Sequence, residues 1–462
     1  MSVGDPLVRL EPGSSGDDGS IGASASASAR RIVIVRAASL ALILVGAIIL
    51  SRTLGPDGRG AHAFYVTLTI LLAAVLSLSA PSGGYVLASR HGVAVPELAA
   101  NSVWLAALSG LIAAVVTVVL QSILGFLPAP LASVPTWPLL IAIGVAGFAA
   151  NAHQLQLAFG HGRPVAGAIL GFGPYTVAAI GYLLLPVTGG GLSAALWIFA
   201  LAPYMLAIAA ALVRPPLSVV SFGRPRAGSA GHAIREGLRT YPGELAALIH
   251  LRADVLLLGV LAPAASLGIY VVAYQSIEPI LILASASSAT ILALGHGRPE
   301  VEGGAVTTRL IRETLLVGGT LAVVAAALAP ILVPLVYGEA FAESVVPLLI
   351  LLPGIVALAC GRIAMADLMR RNMLERMAAI SVVVMFLNVG LNVALIPTFG
   401  AVGAAVASLV SYSTHAVLAI TFDRRAGGFS ARSLIPGRSD VAELWRAWTP
   451  SRLIRPMRRP PS

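Results

Sequence analysis

Ionisable side chains inside apolar stretches are the residues of this sequence best able to do chemistry. Arg252 and Asp254 lie near the middle of one such stretch, and His250 precedes Asp254 by one helical turn. Charges inside a bilayer are costly, so such groups usually bind substrate, carry protons or pair with one another. Two positions apart, Arg252 and Asp254 point to different helix faces. The His250–Asp254 spacing predicts either a proton-binding site or an interhelical hydrogen-bonded clip.

Further charged side chains join this set. Glu278 lies inside the next apolar stretch, and Pro279 after it predicts a kink. Arg36 and Arg362 lie close to the ends of their stretches, where each predicts either a side chain reaching for lipid head groups or the lining of a cationic vestibule. Arg52 ends the first stretch and Arg59 follows it, and each is predicted either to contact an anionic ligand or to lie in a surface loop. The candidates for lining a substrate cavity are therefore Arg36, Arg52, Arg252, Asp254, Glu278 and Arg362.

Motifs that the sequence lacks limit the chemistry. There is no Lys and hence no Walker A loop, so an ion gradient or the membrane potential is the expected energy source. No Asp-x-Asp occurs, and Glu300-Val-Glu302 is interpreted as a solvated turn. No two of the eight His have the i, i+4 spacing of a helical zinc site, and Cys360 has no partner for a disulfide. We expect no metal, no cofactor and no enzyme activity. The remaining enzyme class is a membrane glycosyltransferase or polymerase.

Twelve apolar segments must position these side chains. Hydrophobic residues make up 57% of the chain, charged residues 11%, and the mean hydropathy is +0.90. Each segment is long enough, as a helix, to cross a hydrocarbon core of about 30 Å. The sequence therefore predicts an all-α polytopic membrane protein with 12 transmembrane helices. The segments are 32–52, 61–80, 99–120, 138–158, 165–186, 192–213, 244–262, 268–293, 314–336, 344–366, 377–397 and 400–421.

The basic residues fall on one side of these segments. The two tails and the even-numbered connections hold 25 of the 30, whereas the odd-numbered connections hold only Arg59. Cytoplasmic loops retain positive charge, so both termini are expected in the cytoplasm and the protein in the cytoplasmic membrane. The net charge of +10 is then a topology signal, and no nucleic-acid partner is expected.

The two halves of the chain look like copies. Gly60 precedes Arg90 by 30 residues, and Gly268 precedes Arg298 by the same number, an offset of 208 residues (268 minus 60). Each copy contains an even number of spans, so the two copies have the same orientation in the membrane. This predicts two pseudo-symmetric six-helix lobes around a central cavity, related by an axis along the membrane normal. The predicted regions are a disordered tail (1–31), a first lobe (32–213), an inter-lobe loop (214–243), a second lobe (244–421) and a basic tail (422–462).

Two smaller polar patterns accompany this organisation. Asn388 and Asn392 form a polar stripe, which predicts interhelical hydrogen bonding in preference to substrate contact. In the basic tail, Asp440 and Glu443 have the spacing of a helix cap, followed by an apolar face. That pattern predicts either an interfacial helix on anionic lipid head groups or a disordered basic tail.

Several motifs resemble one family. They are Arg52-Thr-Leu-Gly-Pro56 with Gly60, Leu267-Gly268-Ile-Tyr270, and the Asn388–Asn392 stripe followed by Pro397, Gly400 and Gly403. From about 32 to 421, their order is similar to that of Wzx-type polysaccharide-biosynthesis flippases, whose superfamily contains multidrug and toxin extrusion transporters and the lipid II flippase. At the start of helix two, where family members often have Gly-x-Tyr, this chain has Gly60-Ala-His62.

The resemblance implies a bacterial flippase working by alternating access. The implied substrate is a polyprenyl-diphosphate-linked glycan, held by Arg side chains in a cavity between the lobes, with other polysaccharide-assembly proteins as further partners. The alternative within the same superfamily is a cation-coupled extruder of small molecules or drugs. Such an extruder is expected to have acidic groups in its cavity.

Overall fold

A computed structural model describes residues 18–90, 93–212, 224–293, 300–427, 430–437 and 440. These ranges are helical, with short turns between helices and no β-strand. Short 3-10 helices cover Glu339–Ser344 and Ala431–Leu434. The α-helices are α1 (Asp18–Leu76), α2 (Ala80–Arg90), α3 (Val95–Leu124), α4 (Ala129–Ala132), α5 (Trp137–Gly160), α6 (Pro164–Tyr182), α7 (Leu185–Thr188), α8 (Leu192–Leu212), α9 (Ala227–Gly237), α10 (Tyr241–Leu261), α11 (Ala264–Ala293), α12 (Glu300–Tyr337), α13 (Val345–Arg370) and α14 (Leu374–Gly427).

The two longest helices each contain two spans. The backbone leaves the helical conformation at Gly55 in α1 (φ 66°) and at Gly400 in α14 (φ 53°), where glycine tolerates a left-handed residue. Asn388 donates to the Ser411 hydroxyl at 2.8 Å, so the two halves of α14 lie side by side. This bond confirms the interhelical role predicted for Asn388.

Counted in this way, the described helices confirm the predicted fold class. Eight helices are long and apolar enough to cross a membrane. Because α1 and α14 each contain two spans, these eight helices make ten spans. Helices α10 and α11 add two more, which gives twelve. Six spans precede the inter-lobe connection and six follow it.

Three stretches differ from the sequence prediction. Helix α1 begins at Asp18, so residues 18–31 are helical and not disordered, while residues 1–17 lie outside the described ranges. The second span breaks at 77–79 and continues as α2. The inter-lobe connection, predicted as a loop, contains α9, which packs closely on α2. In the basic tail, the predicted interfacial helix after Asp440 lies beyond the described residues.

The lobes meet through a reciprocal backbone contact. A Cβ atom added to Gly60 would overlap the carbonyl oxygen of Ala264, and one added to Gly268 would overlap that of Pro56. At the offset of 208, Gly60 corresponds to Gly268 and Pro56 to Ala264. Two copies related by a two-fold axis produce such exchanged pairs. The contact therefore closes this end of the lobe interface around the pseudo-symmetry axis.

Candidate functional site: a cationic cavity between the lobes

A cavity of about 330 Å³ lies between the two lobes. Helices α1, α6 and α8 line it from the first lobe, and α10 and α11 line it from the second. Most of its wall is apolar, and among the residues whose side chains the structure describes, no carboxylate lines it. Its basic and polar lining residues are Arg59, His62, Thr67, Tyr175, Tyr182, Arg252, Tyr274 and Gln275.

Arg59 is the centre of a hydrogen-bonded group in this cavity. One guanidinium nitrogen donates to Gln275 Oε1 at 2.8 Å, across the lobe interface, and another makes a long contact of 3.5 Å with His62 Nδ1. The other ring nitrogen of His62, Nε2, lies 2.8 Å from the Tyr182 hydroxyl. The Arg59 side chain is 3% exposed. The buried guanidinium group of Arg59 is thus positioned by contacts with Gln275 and His62, and neither contact is with a carboxylate.

The position of Arg59 corrects the sequence prediction that it lies in an outer connection. Only Gly55 departs from helical geometry between the first two spans, so Arg59 already belongs to the second span. The lining residues Arg59, His62, Val66 and Ile70 recur at intervals of three and four. They therefore occupy one face of the helix, which turns the cation into the cavity.

The second cation of the cavity is Arg252, on α10. This placement agrees with the sequence prediction. Asp254, two positions on, points away from the cavity and is 2% exposed. Its carboxylate accepts hydrogen bonds from the Tyr270 hydroxyl, from the Val255 amide at 2.8 Å and from the Ser408 hydroxyl at 3.4 Å. Arg252 thus faces the cavity, whereas Asp254 is buried among helices α10, α11 and α14.

His250 does not form the predicted clip with Asp254. Its ring stacks on that of His415 with centroids 5.9 Å apart and meets the Tyr412 ring edge-on at 5.7 Å. Neither ring nitrogen of His250, nor Nδ1 of His415, has a hydrogen-bond partner among the described residues. The second lobe therefore buries an imidazole pair one helical turn from a hydrogen-bonded carboxylate.

The other candidate cavity residues lie elsewhere. The Arg36 guanidinium lies 5.3 Å from the centroid of the Phe172 ring, and Arg52 Nε donates to the Val336 carbonyl at 2.8 Å. Arg36, Arg52 and Arg362 are not among the residues that line the cavity between the lobes. The side chain of Glu278 lies outside the described residues.

A second cavity of about 360 Å³ adjoins the first, and Ile70, Gly171 and Tyr175 line both. It lies toward the end of the lobes that carries the inter-lobe connection. Glu244, near the start of α10, accepts hydrogen bonds from the hydroxyls of Ser79 and Ser82 at 2.8 and 3.0 Å. The two cavities are thus neighbours along the lobe interface.

Solved structures of several transporters have a fold similar to that of this chain. An inward-facing multidrug resistance MATE family transporter superposes with a TM-score of 0.66 at 14% identity, over 84% of this chain and 94% of that one. The lipid II flippase MurJ in an inward closed conformation gives 0.71 at 11% identity, over 91% and 92%.

A third similar structure is a MOP superfamily transporter from Pyrococcus furiosus, whose binding pocket is described as having reverse polarity. It superposes with a TM-score of 0.58 at 17% identity, over 86% of this chain and 94% of that one. Neither a protein-family model nor a curated protein sequence matches the chain. At these identities the likeness establishes the fold, and the chemistry of the site must support the function.

Proposed function

We propose that this protein flips a polyprenyl-diphosphate-linked glycan across the cytoplasmic membrane by alternating access. The observation that carries the proposal is the cavity between the lobes, where Arg59 and Arg252 are lining residues and no described side chain in the lining is a carboxylate. Each lobe contributes one of the two guanidinium groups. A diphosphate bound there would therefore contact both lobes at once, and its binding would depend on how the lobes are arranged.

The chemistry of the two arginines supports an anionic ligand. Guanidinium groups donate paired hydrogen bonds that match phosphate oxygens, and such charge-assisted bonds are stronger than neutral ones. Arg59 is held by the neutral groups Gln275 and His62, so an arriving diphosphate meets an uncompensated positive charge. An extruder of organic cations would need the opposite polarity. The arginines disfavour that alternative.

We further propose that the buried cluster around Asp254 binds the coupling proton. Asp254 has donors on α11 and α14 as well as its own helix, so its protonation state would be felt by three helices. His250, whose ring nitrogens have no described partner, lies one turn away. Protonation there would alter the packing of the second lobe without touching the cationic cavity.

The decisive variant is Arg252→Ala. Loss of a charge-assisted hydrogen bond costs about 1.5–3 kcal/mol, so binding of a diphosphate should weaken about 10- to 100-fold. Arg252→Lys should recover only part of the binding, since an ammonium cannot make the two-pronged contact. The measurement is flipping of a fluorescent geranylgeranyl-diphosphate-linked N-acetylglucosamine in proteoliposomes, with the amount of inserted protein determined in parallel.

Two controls complete this experiment. Arg309→Ala, an exposed arginine on α12, should leave flipping unchanged. Arg252→Ala combined with Asp254→Asn should not restore binding of geranylgeranyl diphosphate, because Asp254 has its own donors in Tyr270, Val255 and Ser408. Full rescue by the double variant would show that Arg252 is only a structural partner. Transport of tetraphenylphosphonium in place of the diphosphate would establish the cation extruder instead.

A further inference from the structure

The second cavity differs in chemistry from the first. No basic side chain lines it, and its polar groups are hydroxyls, amides and one carboxylate. Its volume of about 360 Å³ is within the range of about 300–1,000 Å³ that is usual for small-molecule sites. The lining residues with polar groups are Ser77, Ser79, Ser82, Asn151, Gln156, Tyr175, Tyr241 and Glu244. Such a wall suits a neutral ligand rich in hydroxyl groups.

Helix α5 presents ring and amide groups to this cavity on one face. Phe148, Asn151, Leu155 and Gln156 line it at intervals of three, four and one, the pattern of a single helix face. The Phe148 ring lies 5.8 Å from that of Tyr175, centroid to centroid. A sugar has an apolar C–H face and a hydroxyl edge. Aromatic rings beside amide side chains offer a partner for each.

Glu244 gives this cavity its charge preference. An ionised carboxylate only accepts hydrogen bonds and has about four lone-pair positions, of which Ser79 and Ser82 occupy two. The remaining positions can accept from sugar hydroxyls or from an ammonium group. No cation among the lining residues neutralises the carboxylate. An acidic sugar placed here would therefore be repelled.

We propose that the second cavity takes the sugar attached to the diphosphate and that Glu244 makes it selective for a neutral or amino sugar over an acidic one. The inference rests on the proposed function, because the sugar reaches this cavity only if the diphosphate lies between Arg59 and Arg252. Ile70, Gly171 and Tyr175 line both cavities, so a ligand that occupied both would extend past these three residues.

The test uses the full-length protein in lipid nanodiscs and three probes: bare geranylgeranyl diphosphate, the same lipid linked to N-acetylglucosamine, and the same lipid linked to glucuronic acid. The neutral sugar should bind more tightly than the bare lipid, and the acidic sugar at least about tenfold more weakly than the neutral one. Glu244→Gln should remove most of that tenfold difference and leave the bare lipid unchanged. Glu343→Gln, an exposed carboxylate at the other end of the lobes, is the matched control.

The outcomes separate this inference from the proposed function. If the bare diphosphate does not bind, the proposed function fails and the inference fails with it. If it binds but the sugar adds no affinity, or if Glu244→Gln leaves the preference against the acidic sugar intact, only the inference is wrong. Glu244→Gln also removes a contact to α2, so Gln156→Ala provides a second variant. It should weaken binding of the neutral sugar alone.

Discussion

The two lobes share their backbone contacts but not their buried chemistry. At the offset of 208, Asp254 of the second lobe corresponds to Gly46 of the first, and Tyr270 corresponds to His62. A Cβ atom on Gly46 would lie 2.7 Å from that of Ala179, so the first lobe has no room for an acid there. The second lobe therefore buries a carboxylate where the first lobe has a glycine, although each lobe turns one arginine toward the cavity.

This difference shows at which equivalent positions the geometry fixes the residue type in both lobes and at which positions the residue type can differ. Gly60 and Gly268 keep the same residue type because each must let the other lobe's backbone approach. His62 and Tyr270 occupy equivalent helix positions but bind different partners, Arg59 and Asp254 respectively. The backbone contact between the lobes is therefore symmetric, whereas the side-chain partners of His62 and Tyr270 differ.

The largest expected effect comes from breaking the symmetric contact. Gly60→Ala places a methyl group against the Ala264 carbonyl, and overpacking of this kind usually costs about 1–3 kcal/mol or more. We expect a clear fall in the thermal unfolding midpoint together with loss of flipping. Gly390→Ala, where a Cβ meets no atom within 4 Å, is the control and should be neutral or slightly stabilising. An unchanged midpoint for Gly60→Ala would contradict the close approach.

An intermediate effect is expected from removing the charge that only the second lobe has. Asp254→Asn keeps the shape of the side chain but cannot bind and release a proton. Binding of geranylgeranyl diphosphate should remain near wild type, since Arg252 still lines the cavity, while flipping driven by a proton gradient should be lost. His153→Asn, a buried histidine of the first lobe, should leave proton-driven flipping intact. Proton-driven flipping by Asp254→Asn would exclude Asp254 as the coupling group.

The smallest effect concerns the segments that pack on the two lobes. Arg226 of the inter-lobe segment pairs with Glu97 at 2.7 Å, and Arg312 pairs with Asp440 of the basic tail at 2.9 Å. The first pair is the more exposed, and exposed pairs contribute about 0–1 kcal/mol. We therefore expect Arg226→Ala to change the unfolding midpoint less than Asp440→Asn, and neither variant to stop flipping.

Acidification provides a second way to weaken the tail contact. The Gly437 amide, with Arg312 nearby, lowers the pKa of Asp440 below its usual value. A carboxyl whose pKa is lowered by folding contributes stability above its unfolded pKa of about 3.9, and this is lost as pH falls through the folded pKa. Hydrogen exchange of residues 430–437, corrected for the intrinsic rate, should therefore lose protection below about pH 4. Asp440→Asn should lack that protection at pH 7, and Asp57→Asn should retain it.

Local patterns were enough to predict the spans, the repeat and the position of Arg252. Hydropathy over some twenty residues defines a span, and helical spacing alone separates the directions of Arg252 and Asp254. Arg59 was predicted as a possible contact for an anionic ligand but was placed in an outer connection, because a single residue, Gly55, joins the first two spans and the boundary of the second span was drawn too late. The sequence departs from the Gly-x-Tyr pattern at His62, and this departure was the signal that could have pointed to the group around Arg59.

The partners of these side chains could not be predicted, because they come from distant parts of the chain. Gln275 and Tyr182, which complete the Arg59 group, lie on α11 and α6. Asp254 pairs with Tyr270 and Ser408, and not with His250 on its own helix. No spacing within one helix contains that information, which depends on how the lobes pack.

The one-residue reversals at Gly55 and Gly400 have a consequence for how the protein is made. No loop separates the two halves of α1 or those of α14. One half therefore cannot move far from the other during insertion into the membrane. We therefore expect the two spans of each pair to enter the bilayer together. A ribosome-stalling series should accordingly show the first half of α1 in the bilayer only in chains long enough for residues 56–76 to have left the ribosome.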